Sequence, residues 1–136
     1  GRLVVACIDT NVLVRLLVTD DLAQRALAQA RIAKALEGGE TILLLRTVIL
    51  QTEWVLRALY KFDKEKILNT FEMLLEREDL FLEGERAVEY ACNLYRNSTA
   101  DFADCLHLAS AWFTGELPFL TFDKKASRLP EGELVV

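Results

Sequence analysis

The feature that most constrains the fold is a continuous apolar run near the start of the chain, Leu3–Ile8. It ends abruptly at Asp9-Thr10-Asn11, which is a sequence of turn and helix-cap residues. A short apolar run without alternation is typical of a strand buried on both faces. Strands of this kind belong to parallel sheets that helices cover on both sides. The run therefore predicts an α/β protein whose first strand ends at Asp9.

The rest of the chain alternates between strand and helix patterns. The further predicted strands are Thr41–Leu45, Leu80–Leu82, Pro118–Phe122 and Leu134–Val136. The predicted helices run from the cap residues Thr19-Asp20-Asp21 to about Glu37, from Thr47 to near Phe62, from Asp63 past Leu75, over Glu85–Arg96, and from Asp101 to about Thr114. This alternation predicts an α/β sandwich with a mainly parallel sheet. The length of 136 residues fits a single domain over 1–136.

Composition excludes several classes of protein. Sixteen basic and twenty-one acidic residues give a net charge of −5, which excludes a strongly basic nucleic-acid-binding domain. That charge still allows a nucleic-acid enzyme that uses a cation as a bridge. The three cysteines are far apart and form no C-x-x-C pair, so they predict small buried thiols and no zinc knuckle. No P-loop motif is present, which excludes that class of nucleotide enzyme.

Apolar runs are too short for a membrane protein. A membrane-spanning helix needs about 18 or more apolar residues, and the run Thr41–Leu50 is broken by Arg46. The run Leu3–Ile8 is also too short for the core of a signal peptide. We expect a cytoplasmic protein with no membrane partner.

Polar side chains follow the strands at the positions where a parallel sheet binds ligands. The carboxyl ends of the strands and the first turns of the following helices meet at one edge of such a sheet. Six residues occupy these positions: Asp9, Gln51, Glu53, Asp101, Asp104 and Asp123. Crowded carboxylates repel one another unless a cation neutralises them, and Mg²⁺ and Mn²⁺ prefer oxygen ligands. The pattern therefore indicates metal-dependent hydrolysis of a phosphodiester, which needs no histidine.

Each acid also has a structural interpretation. Asp9 and Asp101 suit helix N-caps, Asp104 suits the helix dipole, and Asp123 suits a turn. His107, the only histidine, lies one turn after Asp104 and is expected to pack locally rather than to support a catalytic group. The convergence of four separate segments favours the functional interpretation.

Four segments resemble the PIN domain, and specifically its VapC-type toxin branch. They are Ile8–Leu13 (IDTNVL), Val48–Arg57 (VILQTEWVLR), Asp101–Ala109 (DFADCLHLA) and Leu120–Asp123 (LTFD). The resemblance implies a three-layer α/β/α sandwich with a central, mainly parallel sheet, often in a homodimer. It also implies Mg²⁺- or Mn²⁺-dependent endoribonuclease activity on RNA and inhibition by a cognate antitoxin protein.

The resemblance assigns roles to individual residues. Asp9, Asp104 and Asp123 match the acids that hold the metal in the family. Asn11 and Thr121 match polar neighbours of these acids, and Asp101 is expected to be an accessory group. Lys124 and Lys125 directly follow Asp123 and are the basic residues best placed to contact RNA phosphates.

One position departs from the family pattern. Gln51 stands three residues before Trp54, where the family has a glutamate. Glu53 does not replace it directly, because two residues along a helix correspond to a turn of about 200°. The glutamine removes one formal charge, which predicts weaker metal binding. It also leaves open an alternative: a catalytically weak or inactive PIN-fold module that binds RNA or protein.

Two other families with an acidic pocket fit less well. A phosphatase of the haloacid-dehalogenase type needs a second aspartate two residues after Asp9, where this chain has Asn11. A response-regulator receiver domain needs an aspartate at the end of its third strand and a strand lysine, and neither is evident.

Overall fold

A computed structural model describes residues 5–136, with the side chains from residue 6 onwards. The chain divides into two compact units, one ending at Glu83 and the other running from Gly84 to Val136. The first unit contains β1 (Val5–Cys7), α1 (Thr10–Leu17), α2 (Leu22–Glu37), β2 (Thr41–Leu44), α3 (Arg46–Ala58), α4 (Lys64–Glu76) and β3 (Leu80–Leu82). The second contains α5 (Glu85–Arg96), α6 (Phe102–Thr114), β4 (Phe119–Thr121), α7 (Lys124–Ser127) and β5 (Gly132–Leu134).

The first unit is built on a three-stranded parallel sheet in the order β1-β2-β3. The central strand β2 supplies two fully buried side chains, Ile42 and Leu44. Helices α3 and α4 add further buried residues, among them Ile49, Leu56 and Phe71. The apolar periodicity that predicted these helices therefore supplies most of the core of this unit.

The first strand is less buried than its composition predicts. Ala6 is half-buried and Cys7 is exposed, because β1 lies at an edge of this sheet and not at its centre. The prediction that all three thiols are buried is therefore wrong for Cys7, whereas Cys92 and Cys105 are buried. The predicted beginning of the strand, at Leu3, lies outside the described residues.

Helix α2 also differs from expectation. It begins at the cap Asp21, as predicted, since the carboxylate accepts a hydrogen bond from the backbone N–H of Gln24. Its only fully buried side chain is Ala35, however. The apolar residues that recur along it at helical spacing are exposed: Leu22, Ala26, Leu27, Ala30, Ala33 and Leu36. The helical spacing of the apolar residues therefore predicted the helix correctly but did not predict that these side chains are exposed.

The second unit combines a helical pair with a small sheet. Helices α5 and α6 pack through fully buried residues that include Val88, Leu108 and Ala109. The rings of Tyr95 and Phe102 meet edge to face with centroids 5.5 Å apart. Strands β4 and β5 pair in parallel, and α7 packs on both of them. Every strand pair in the described part of the chain is parallel, which confirms the predicted α/β class.

Several element boundaries differ from the sequence prediction, and one helix is additional. Helix α3 begins at Arg46, with extended Leu45 at its N-cap, so Thr47 lies inside the helix and does not cap it. The four-residue helix α7 was not predicted. Strand β5 begins at Gly132, two residues before the predicted Leu134, because the chain turns at Glu131, whose φ is 63°.

No helix among residues 5–136 is long and apolar enough to cross a membrane.

Candidate active site

Asp9 lies directly after β1 and caps helix α1. Its backbone is extended, and its Oδ1 accepts a hydrogen bond from the backbone N–H of Val12 at 3.0 Å. The side chain is exposed to solvent. The capping role considered from the sequence is therefore present, but it uses one carboxylate oxygen. The other oxygen is available to a ligand.

Gln51 lies beside the segment that carries Asp9. The hydroxyl of Thr10, which is buried, donates a hydrogen bond to the Oε1 of Gln51 at 2.8 Å. This bond connects the first turn of α1 to α3 across 41 positions of sequence. Gln51 and Asn11 are both exposed. The first unit thus brings Gln51 close to the end of β1, as the topology of a parallel sheet predicts.

Glu53 has different surroundings from Gln51. Its side chain is 4% exposed and is paired with Arg57, one turn along α3. The Nε of Arg57 donates to Oε2 of Glu53 at 2.8 Å, and Nη2 donates to Oε1 at 3.4 Å. Both carboxylate oxygens are therefore occupied by one guanidinium, and Glu53 does not stand in the place of Gln51.

Asp101 and Asp104 lie one turn apart at the beginning of α6. Asp101 occupies the N-cap position, but its side chain makes no capping hydrogen bond and is exposed. Asp104 lies in the first turn and is partly buried. Capping does not account for the carboxylate of Asp101, although its position suggested that role.

Asp123 closes the turn between β4 and α7. Its Oδ1 accepts a hydrogen bond from the N–H of Ala126 at 2.9 Å, and its own N–H donates to the Oγ1 of Thr121 at 3.0 Å. As with Asp9, the cap uses one carboxylate oxygen. Lys124 and Lys125, the first two residues of α7, are exposed.

The electrostatics of the second unit single out Asp104. Burial raises the pKa of Asp104, and the negative charges of Asp123 and Asp101 raise this pKa further, whereas His107 lowers it. A carboxylate in the first turn of a helix is normally stabilised by the helix dipole. His107 is exposed, and its ring centroid lies 6.5 Å from that of Phe119, in keeping with local packing.

The carboxylates of Asp104 and Asp123 are oxygen donors of the kind that a hard divalent cation prefers. The described residues contain no group of three or more His, Cys, Asp or Glu side chains arranged to hold a metal ion. Mg²⁺ does not need such a cage, because it commonly binds one or two carboxylates and keeps several waters. Asp104 and Asp123 offer two carboxylates whose mutual repulsion a cation would relieve. Whether Asp9 and Gln51 belong to the same site stays a prediction.

Two residues of these clusters were not foreseen from the sequence. Arg57 follows Glu53 by four positions, and this spacing on a helix is a recognised signal for an ion pair. Thr10 carries no comparable local signal, because its partner Gln51 is distant in sequence.

Comparison with known proteins identifies the family. No curated protein matches the chain at a significant level. The family model of the PIN domain matches residues 6–132, which is nearly the whole chain. PIN domains have a nuclease-type fold, are generally metal-dependent ribonucleases and use divalent metals. The acids after β1 and β4 and in the first turn of α6 all lie within this match. The chain belongs to the PIN domain family.

Proposed function

We propose that this PIN domain is a Mg²⁺- or Mn²⁺-dependent endoribonuclease and the toxin of a toxin–antitoxin pair. The observation that carries the proposal is the setting of Asp104, whose pKa is raised first by burial and then by the negative charges of Asp123 and Asp101. Repulsion of this kind is relieved by a cation. The VapC-type assignment rests on the four sequence segments that resemble that branch.

Asp9, Asp104 and Asp123 are the proposed metal ligands. Asp9 and Asp123 each have one carboxylate oxygen that is not engaged in capping, and Asp101 lies one turn from Asp104 as an accessory acid. A bound metal of this type lowers the pKa of a coordinated water and polarises a phosphate oxygen. The inclusion of Asp9 rests on its position after the first strand and on the family resemblance.

Gln51 has a different task from a metal-binding glutamate. Its Oε1 accepts a hydrogen bond from the hydroxyl of Thr10, so the orientation of the side-chain amide is fixed. Its NH₂ group donates hydrogen bonds, which a carboxylate cannot do. We assign Gln51 to the orientation of a phosphate or a water, and Asn11 and Thr121 to neighbouring polar contacts. Glu53, which is held by Arg57, acts as a positioning residue for α3.

RNA is the proposed substrate, and Lys124 and Lys125 are the proposed phosphate contacts. A cognate antitoxin and a homodimeric state are proposed from the family resemblance alone, and the cytoplasmic location stays an expectation from the sequence. The exposed apolar side chains of α2, among them Leu22 and Leu27, are compatible with a protein partner.

A second function is favoured by one observation. Gln51 leaves the first unit without the acid that the family pattern has at that position. A PIN-fold module that binds RNA or protein with little catalysis would tolerate this loss.

The test is cleavage of a panel of structured RNAs with Mg²⁺, Mn²⁺ or EDTA. The variants are Asp104→Asn and Gln51→Glu, with Glu89→Gln as a matched control, because Glu89 is an exposed acid of the same unit. Loss of electrostatic stabilisation at a metal site typically costs about 100-fold or more in rate. We expect this loss for Asp104→Asn and none for Glu89→Gln.

The outcomes separate the two functions. Metal-dependent cleavage by the native chain that disappears in Asp104→Asn supports the ribonuclease. Cleavage by Gln51→Glu alone would mean that the native chain is the binding module. Cleavage that persists in EDTA or in Asp104→Asn would contradict the proposed metal site.

A further inference from the structure

Phe122 is the most exposed aromatic side chain in the described part of the chain. It is 81% exposed and lies in the bend between β4 and α7. Other exposed rings of the second unit have aromatic partners: Trp112 and Phe113 lie 5.2 and 6.2 Å from Tyr90, and Arg86 covers Phe113. Phe122 has no such ring contact among residues 6–136. Its face is therefore open to a ligand.

The backbone on both sides of Phe122 is held in place. Thr121 accepts the N–H of Asp123, and Asp123 in turn caps α7 through the N–H of Ala126. Ala126 is fully buried, and Leu129 is 4% exposed, so α7 is anchored to the unit. A ring that is presented from a fixed backbone loses less conformational freedom when it binds a ligand than one on a mobile loop.

Positive charge follows the ring directly. Lys124, Lys125 and Arg128 are exposed, although the chain as a whole carries a charge of −5. Successive Cα atoms are 3.8 Å apart, so the Cα of Lys124 lies within about 7 Å of the Cα of Phe122. An exposed ring beside lysines matches the chemistry of single-stranded nucleic acid, in which a base stacks on the ring and the backbone phosphates pair with the cations.

We propose that Phe122 is a substrate-binding residue whose ring stacks on an unpaired base of bound RNA. The inference rests on the proposed ribonuclease function and adds a substrate contact to it. Bases within a duplex are already stacked on their neighbours and cannot offer a free face to the ring. Phe122 therefore contributes to the binding of unpaired RNA, whereas the lysines contribute to the binding of single strands and duplexes alike.

Fluorescence anisotropy with end-labelled RNA tests this role. The probes are one single-stranded oligonucleotide and the duplex of the same sequence, both in EDTA so that cleavage does not interfere. The variants are Phe122→Ala and Phe122→Trp, with Leu120→Ala as the control, because Leu120 is an exposed apolar residue of the same segment (60%). The double variant Lys124→Ala with Lys125→Ala tests the charge contribution separately.

We expect Phe122→Ala to weaken single-strand binding roughly 5- to 100-fold, with an unchanged salt dependence, and Phe122→Trp to retain it. Duplex binding and the Leu120→Ala control should stay at the native level. The lysine double variant should lower the slope of log K against log salt by about 1.4. Equal affinity of Phe122→Ala and the native chain for the single strand would overturn the inference, and so would an equal loss for duplex RNA.

Light scattering on the same samples separates RNA from protein as the occupant. A change in oligomeric state in Phe122→Ala, with RNA affinity intact, would assign the ring to an interface between copies and overturn the inference. A native chain that binds RNA through Phe122 but cleaves nothing with Mg²⁺ or Mn²⁺ would refute the ribonuclease proposal and still support the stacking role.

Discussion

The two units treat their acidic side chains in opposite ways. In the unit ending at Glu83, the buried acid Glu53 is paired with Arg57, and Gln51 stands where the family pattern has a glutamate. In the unit beginning at Gly84, burial raises the pKa of Asp104, and the negative charges of Asp123 and Asp101 raise it further. The charge of Glu53 is therefore neutralised by a partner, whereas that of Asp104 lies near two further acids.

If Asp104 is a metal ligand, as proposed, this difference distinguishes an acid that serves stability from one that serves function. A buried carboxylate that serves stability is paired, because an unpaired buried charge is costly. A carboxylate that binds a cation lies near other acids, and these acids repel one another when no metal is bound. Position in the sequence alone does not distinguish the two, since Glu53, inside α3, and Asp104, in the first turn of α6, were both expected at the edge of the sheet.

The largest effect is expected where the charge pairing of the first unit is broken. Glu53→Gln keeps the size of the side chain but removes the charge that faces Arg57. Loss of a buried ion pair costs about 3–5 kcal/mol when both partners are buried. Here the side chain of Arg57 is 50% exposed and can turn to water. We expect the free energy of unfolding to fall by about 2 kcal/mol, measured by urea denaturation.

Glu40→Gln is the matched control. Its ion pair with Arg31 is 3.9 Å long and the side chains are 62% and 28% exposed, so its loss should cost less than about 1 kcal/mol. If Glu53→Gln is no more destabilising than Glu40→Gln, the buried pair does not stabilise the first unit.

Much of the fold could be predicted from the sequence because local signals agreed with the packing. Helix α5 has the predicted bounds, and Asp21 and Asp63 cap their helices as expected. Ile67, Leu68, Phe71 and Leu74 of α4 are buried, as their helical spacing indicates. In these elements the pattern of apolar residues and the capping chemistry pointed to the same boundaries.

The predicted element boundaries were wrong where another feature of the chain outweighed the local sequence signal. Thr47 resembles a helix cap, but β2 ends early enough for α3 to begin at Arg46. Helix α7 is only four residues long, which is too short for an apolar period to be recognised. The apolar residues Leu134–Val136 suggested a strand, whereas the backbone places its start after the turn at Glu131.

The candidate site was predictable as a set of positions but not as a set of contacts. The rule that ligands gather at the carboxyl ends of parallel strands selected Asp9 and Asp123 from the sequence. The bond between Thr10 and Gln51 depends on tertiary packing, so no local pattern could reveal it. The exposure of Phe122 was equally unforeseen, since an apolar residue at the end of a strand normally suggests burial.

The second largest effect is expected when a negative charge is added to the first unit at Gln51. Gln51→Glu keeps the acceptor for Thr10 and adds one negative charge. If Gln51 lies near the metal, an added charge in a partly solvated site should strengthen Mn²⁺ binding about 10-fold. Isothermal titration calorimetry measures this directly.

Gln29→Glu makes the same chemical change at an exposed position of α2 and is the matched control. An equal affinity for Mn²⁺ in Gln51→Glu and Gln29→Glu would remove Gln51 from the metal site. It would also break the contrast between the units, because the missing charge would then have no functional meaning.

The smallest effect is expected when the crowding of the second unit is relieved. The pKa of Asp104 is raised above its usual value of 3.8, so the folded chain binds this proton more tightly than the unfolded chain does. Stability is therefore highest when Asp104 is protonated and declines as the pH rises through the raised pKa. Asp104→Asn should be more stable than the native chain at pH 7, on the order of 0.5 kcal/mol, which is the scale of surface substitutions.

The pH dependence of that gain provides the decisive readout. Below the usual pKa of 3.8 the native carboxyl is protonated in both states, so the advantage of Asp104→Asn should disappear there. Glu89→Gln, at an exposed position of α5, is the control for a substitution that removes one negative charge from the same unit. Saturating Mg²⁺ should stabilise the native chain at pH 7 and not Asp104→Asn, because only a ligand that prefers the folded state shifts the unfolding equilibrium. Lower stability of Asp104→Asn at pH 7 would mean that the ionised carboxylate of Asp104 stabilises the folded chain through the helix dipole. No net repulsion between the acids of the second unit would then remain for a cation to relieve.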